Sequence, residues 1–443
     1  MPTNPAMESP NTHEIKEIPL KKGLLALSPI AVFLLFYLVV SLVIGDFYKM
    51  PLSIAFIIAA IWSISLTRDI KLSKRIEIFS KGASNENVLY MVWIFILAGA
   101  FSALAEGIGS IDATVQLTLS ILPPQFIIPG VFISACFISV SIGTSVGTIV
   151  ALAPLSVQLA HSTGLDAAFV TSAVIGGAFF GDNLSFISDT TIAATRSQGC
   201  AMNDKFKANL WIAIPAAVIV LLAYMLFSPS TEIVSLPEKS SNALLVVPYL
   251  IVIISALIGM NVLLVLTLGI FFSVVIALFT TQMPLIDMCT EMGEGIGSMG
   301  DLIIITLLAA GLLQIIHYNK GIDFIIQCLT KRIHGKRGAY ASIGALVSLV
   351  NVCTANNTIA IITTGEISHQ VSTKFSLNPT KVASLLDTCS CITQSIIPYG
   401  AQILIAAGIA KITPVAFMPY AYYPVALGLM VIISIIFRFQ KEK

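Results

Sequence analysis

The residues best equipped for chemistry lie in the run Gly181-Asp182-Asn183-Leu184-Ser185-Phe186-Ile187-Ser188-Asp189-Thr190, where two carboxylates stand among hydroxyls and an amide. Small apolar residues precede this run, and the first arginine after it is Arg196, so no cation close in sequence neutralises either acid. A second set, Asp387, Ser390, Thr393 and Gln394, has one acid and neighbouring neutral oxygens. Two further runs hold neutral groups only: Thr144, Ser145 and Thr148 in one, and Asn351, Thr354, Asn356, Asn357 and Thr358 in the other. Oxygen ligands of this kind, with carboxylates supplying charge, suit a small hard cation. What they do then depends on the elements that hold them.

Those elements belong in lipid. Of the 443 residues, 56% are hydrophobic and 11% charged, with a mean hydropathy of +0.93, against roughly 25% charged in soluble domains. Apolar runs of about 18 or more residues, the length that spans a bilayer as a helix, recur along the chain. They are continuous rather than alternating, which excludes a β-barrel. The expected fold class is therefore an all-α polytopic membrane protein, with the lipid bilayer as its first partner. A net charge of +1 gives no sign of a nucleic-acid partner. The seven cysteines form no CxxC pair and read as packing thiols. No phosphate-binding loop, dinucleotide fingerprint or HExxH motif occurs, so no cofactor is expected. No nucleophile and base stand at a motif spacing, so the chain reads as a non-enzyme.

Spans are expected at 24–44 and 52–66, followed by a loop at 67–81 with Arg68, Lys71, Lys74, Arg75 and Lys81. By the positive-inside rule this loop is cytoplasmic, and so is the N-terminus. The segment 88–106 crosses outward. The apolar stretch 126–161 is interrupted at 141–148, where glycine and hydroxyls weaken a helix, and is expected to form a re-entrant hairpin. An interrupted span at 167–195, broken at 181–188, meets the inner charges Arg196, Lys205 and Lys207, and 210–227 returns outward. The second half repeats the plan, with a hairpin broken at 351–358 and a span at 382–410 broken at 387–398. Its loop with Lys320, Lys331, Arg332, Lys336 and Arg337 is basic where the first-half counterpart, 107–125, has no Lys or Arg. All Lys and Arg except Lys49, Lys239 and Lys411 are then cytoplasmic, and none lies in the membrane.

Opposite flanking charge predicts two inverted-topology repeats, each with a re-entrant hairpin and an interrupted transmembrane helix. The match of Asp182-x-x-Ser185-x-Ile187-Ser188 over Asp387-x-x-Ser390-x-Ile392-Thr393 supports this. The expected organisation is a cytoplasmic tail at 1–22, a first repeat at 23–228, an external linker at 229–243, a second repeat at 244–437, and a cytoplasmic tail at 438–443.

Glu106, Asp182, Asp189, Asp301, Glu366 and Asp387 fall in or near the spans, opposite no basic residue. Burial raises a carboxyl pKa and a nearby cation lowers it, so a proton and a metal cation compete for one group. That competition is the minimum chemistry of cation/proton exchange. Other roles stay open: Asp182 and Asp387 as caps of half-helices, Glu106 and Asp301 as solvated ends, and Glu366 with His369 as a local hydrogen bond.

Over Gly176-Gly-Ala-Phe-Phe-Gly181-Asp182-Asn-Leu-Ser185-Phe-Ile-Ser188-Asp189-Thr190-Thr191 the chain resembles the NhaC-type sodium/proton antiporter family. The resemblance extends over about 24–437. It implies sodium/proton exchange across a bacterial inner membrane, with roles for Asp182, Ser185, Ser188, Asp189 and Thr190. Asp182 and Asp387 are then the expected charged ligands of Na+, in an elevator-like alternating-access cycle, and a homodimer is compatible with this reading. Family members often carry a basic residue after the first aspartate and proline after the first serine; here Asn183 and Phe186 stand there. The family also includes malate/lactate exchangers, so the alternative is a Na+- or H+-coupled carrier of a small organic acid or amino acid.

Overall fold

The computed structural model describes residues 18–44, 50–121, 126–185, 188–227, 242–281, 283–330, 333 and 335–438. The expected N-terminal tail up to residue 17, the linker over 229–241 and the C-terminal tail from 439 lie outside the described residues. Among the described residues every regular element is helical, and seven helical segments are long and apolar enough to cross a membrane.

The first half contains α1 (Leu20–Ile44), α2 (Leu52–Leu66), α3 (Leu72–Ala83), α4 (Glu86–Gly107), α5 (Ser110–Ile121), α6 (Ile127–Ile142), α7 (Ser145–Thr163), α8 (Ala167–Leu184), α9 (Asp189–Gln198) and α10 (Met202–Phe227). The second contains α11 (Val247–Leu257), α12 (Val262–Thr280), α13 (Leu285–Ser298), α14 (Gly300–Tyr318), α15 (Gly321–Thr330), α16 (Gly335–Thr354), α17 (Asn357–Lys374), α18 (Pro379–Gln394), α19 (Ala401–Ala410) and α20 (Tyr422–Ile433).

The two halves repeat in their turns as well as in their order. Left-handed backbone at Gly143, Gly164 and Gly199 recurs at Ala355, Ser376 and Lys411, a constant spacing of 212 residues (355 − 143, 376 − 164, 411 − 199). The helix α9 recurs as α19 with the same offset at both ends. Asp166 and Asn378, N-caps of α8 and α18, keep it too, each accepting a hydrogen bond from the amide two residues on. This offset corrects the sequence match. Asp182 stands at the position of Gln394, while Asp387 corresponds to Ile175.

The helix α6 runs parallel to α8. Gly177 lies against Ala135 and Cys136, and Gly181 against Ser139, so the contact advances by one turn on both helices. A Cβ on Gly177 would stand 2.6 Å from that of Ala135, and Ser139 Oγ donates to the Ala178 carbonyl (2.5 Å). The chain turns at Gly143 and Thr144 and returns as α7, completing the hairpin. In the second half Asn351 Nδ2 donates to the Ser390 carbonyl (2.8 Å), joining α16 to α18.

The breaks are shorter than expected. The hairpin tips leave helix only at Gly143 and Thr144 and at Ala355 and Asn356, with the same left-handed then extended backbone. The helix α8 continues through Leu184, and α18 through Gln394, so Asp387 lies within a helix and the second break falls at 395–400. Hydroxyls expected to unwind these segments bond back to their own helices instead. Thr148 donates to Thr144 O, Ser390 to Asp387 O and Thr393 to Cys389 O, which leaves the helical ladder intact.

Candidate cation site

Asp182 is in the last turn of α8, and one carboxylate oxygen accepts the backbone N–H of Ser145 (2.9 Å), the first residue of α7. The left-handed turn at Gly143 aims this amide at the acid, and a helix N-terminus favours negative charge. Past the break, Ser188 caps α9, with its Oγ accepting from Thr191 N–H (3.4 Å). The same hydroxyl donates to the Asp182 carbonyl (3.1 Å) and lies 2.7 Å from Thr190 Oγ1. Thr190 donates to the Asp182 carbonyl as well (3.4 Å). One carboxylate, one carbonyl and two hydroxyls thus surround the junction of α8 and α9.

This junction faces a cavity of about 730 Å³. Of the sequence-predicted residues, Thr144, Ser145, Asp182, Ser188, Asp189, Thr190, Thr354, Asn356, Asn357, Thr358 and Gln394 line it. Both hairpin tips and the first break therefore converge on one space. Asp189 is exposed there at the start of α9. Asn356 caps α17, accepting from Ile359 N–H (2.9 Å).

The remaining predicted residues lie off the lining. Thr148, Asn183, Ser185, Asn351, Asp387 and Ser390 are buried among the helices, and Thr393 is half-buried. Asn183 Nδ2 donates to the Phe179 carbonyl (2.9 Å).

Asp387 has a different partner from the one expected. Lys205, in the first turn of α10, places its ammonium 2.5 Å from Asp387 Oδ2, with side-chain exposures of 1% and 0%. The same ammonium donates to Asn183 O (2.9 Å) and Thr191 Oγ1 (2.6 Å). Asn209, one turn along α10, donates to Asn183 O (2.8 Å) and Asp387 Oδ2 (3.0 Å), and Ser384 donates to Asn209. The expectation that Asp387 stands opposite no basic residue is thus corrected, and the desolvation of Lys205 is offset by this carboxylate and two further oxygens. The pattern was present in the sequence as a polar pair at i and i+4 heading an apolar helix.

Sequence reading also missed other polar residues that line the cavity, Tyr90, Asn261, Thr306, Gln314, His317 and Gln402. Single polar residues in apolar spans carry no local signature. The described lining contains two carboxylates, Asp182 and Asp189, and neither lysine nor arginine.

The Na+/H+ antiporter family model matches residues 12–229 and 230–440. The chain belongs to the Na+/H+ antiporter family. Among curated relatives, the Na+/H+ antiporter NhaC of Alkalihalophilus pseudofirmus is 22% identical over 363 residues, covering 75% of this chain and 78% of that one. The arginine/ornithine antiporter ArcD of Halobacterium salinarum is 22% identical over 457 residues, covering 92% and 90%. Of solved structures, the Alcanivorax borkumensis YdaH transporter aligns over 87% of this chain and 98% of its own, at 13% identity and a TM-score of 0.42. By its family match and its seven apolar helical segments, this antiporter-family chain is a multi-pass membrane protein of a transporter family.

Proposed function

We propose that this protein exchanges Na+ for H+ at Asp182, whose carboxylate takes either ion. The observation that carries the reading is the placement of that carboxylate at the cavity wall, beside the Ser188 and Thr190 hydroxyls and the N-terminus of α7. A deprotonated Asp182 with neighbouring oxygens replaces part of a sodium ion's water shell, and protonation removes the charge on which that depends. Each ion then expels the other, and a carrier that reorients only when loaded exchanges them.

The 212-residue repeat supports an inverted arrangement. The basic segment around α3, with Arg68, Lys71, Lys74, Arg75 and Lys81, corresponds to α13 with Asp287, Glu291 and Glu294. Equivalent segments of opposite charge belong on opposite faces. The cavity is bordered by Gly82 and Asn85 after the basic segment and by His317 at the end of α14 before Lys320, so on this topology it opens to the cytoplasm. An elevator-like step moves the hairpins and broken spans, α6–α9 and α16–α19, together with α10, which the Lys205–Asp387 pair ties to them, against the remaining helices.

In proteoliposomes with a trapped pH dye, a sodium pulse moves protons, and Asp182→Asn removes the signal. Proton flux indifferent to sodium, lithium and potassium refutes the reading.

A second reading rests on the size and charge of the cavity. At about 730 Å³, lined by two carboxylates, it has room for an organic solute and suits an amine-bearing one better than a dicarboxylate. The arginine/ornithine exchange named for the Halobacterium salinarum relative fits that chemistry. Saturable uptake of labelled arginine, with no sodium-dependent proton movement, would favour it.

A further inference from the structure

The two hairpin tips have one backbone geometry but different chemistry. At the first, the acid Asp182 holds the tip through the Ser145 amide. At the second, 212 residues on, Gln394 stands in place of Asp182 and Asn357 in place of Ser145. The Gln394 carboxamide turns its nitrogen to the tip, donating to the Ala355 carbonyl (3.0 Å) and to Gln402 Oε1 (2.9 Å). Gln402 Nε2 in turn donates to Ser145 Oγ (3.1 Å). A buried chain of amides therefore runs from the second tip to the first and ends on the residue that holds Asp182.

Resting on the reading of Asp182 as the exchanged-cation site, we propose that Gln394 closes the second tip to cations, so that the protein carries one Na+ per chain. In the first half the position presents a negative oxygen. In the second it presents N–H groups, which occupy the tip carbonyl that a cation would need. The remaining oxygen, Gln394 Oε1, is buried with no hydrogen-bond partner among the described residues and carries no net charge. One neutral oxygen does not replace the hydration shell of an alkali cation. The nearby acid on the same helix, Asp387, is already neutralised by Lys205. Gln402 ties this closed tip to the open one and fixes the Ser145 hydroxyl beside the cation position.

The test is the number of radiolabelled sodium ions bound per chain at saturation, measured on the purified full-length protein above the carboxylate titration range. One ion is expected for the wild type, none for Asp182→Asn, and two for Gln394→Glu. Two ions on the wild type overturn the inference while leaving the exchange reading intact. A Gln394→Glu protein that binds only one is folded and overturns it equally. Zero on the wild type refutes the reading of Asp182 and the inference with it. The wild-type count holds whether or not Gln394→Glu folds.

Discussion

Lys205 and Asp387 form a fully buried ion pair, 2.5 Å apart, that joins α10 of the first half to α18 of the second. The ammonium also holds the Asn183 carbonyl on α8 and the Thr191 hydroxyl on α9, on opposite sides of the first break. The pair thus braces the segment that carries Asp182 without facing the cavity itself.

Removing one member leaves the other charged and desolvated. Lys205→Met or Asp387→Leu is expected to lower stability by about 3–5 kcal/mol, whereas the Lys205→Met/Asp387→Leu double substitution costs less than the sum of the singles. Thermal inactivation of the purified protein checks this, and strict additivity would count against a coupled pair.

Asp182→Asn keeps an oxygen to accept the Ser145 amide and loses the charge, so the protein folds while sodium-driven proton movement falls to that of empty liposomes. With Asp182 as the proposed cation ligand, Asp189, exposed in the cavity, is left to act through its field. Asp189→Asn should therefore raise the sodium concentration for half-maximal exchange several-fold and leave the maximal rate within about twofold, an outcome read directly from exchange kinetics.

On the proposal that sodium and the proton share the Asp182 carboxylate, acidification weakens the apparent affinity for sodium. Where the proton-loaded form dominates, the half-maximal sodium concentration should rise about tenfold per pH unit lowered, and it should level off on the alkaline side. A half-maximal concentration that stays flat across the acidic range would show that proton and sodium do not share Asp182.

A methyl at Gly181 would overlap Ser139, side chain and backbone, where α6 meets α8. Gly181→Ala is expected to cost about 1–3 kcal/mol through overpacking. At Gly428 of α20 no atom of the described residues beyond its own helical turn stands within 4 Å of the added carbon, and Gly428→Ala should be neutral or stabilise by about 0.5–1 kcal/mol through helix propensity. Unfolding temperatures of the two variants give the comparison.

Hydropathy and charge were enough to read the membrane class, the two hairpins, though with breaks expected over 141–148 and 351–358, and the Asp182 segment, because each is written in consecutive residues. Asp182, Ser188 and Thr190 are neighbours in the chain, and a carboxylate in an apolar run announces itself. The fate of Asp387 was not legible, since its partner is 182 residues away on a helix whose first turn looks like a basic loop. Nor was the counterpart of Asp182. A local resemblance of short polar motifs pointed to Asp387, whereas the caps and left-handed turns, which depend on how each helix ends against its neighbours, assign Gln394. Composition and spacing determined that this chain places oxygens and acids in lipid. Tertiary structure decided which acid keeps a free face toward the cavity and which is neutralised by a lysine, because that choice is made by contacts between helices.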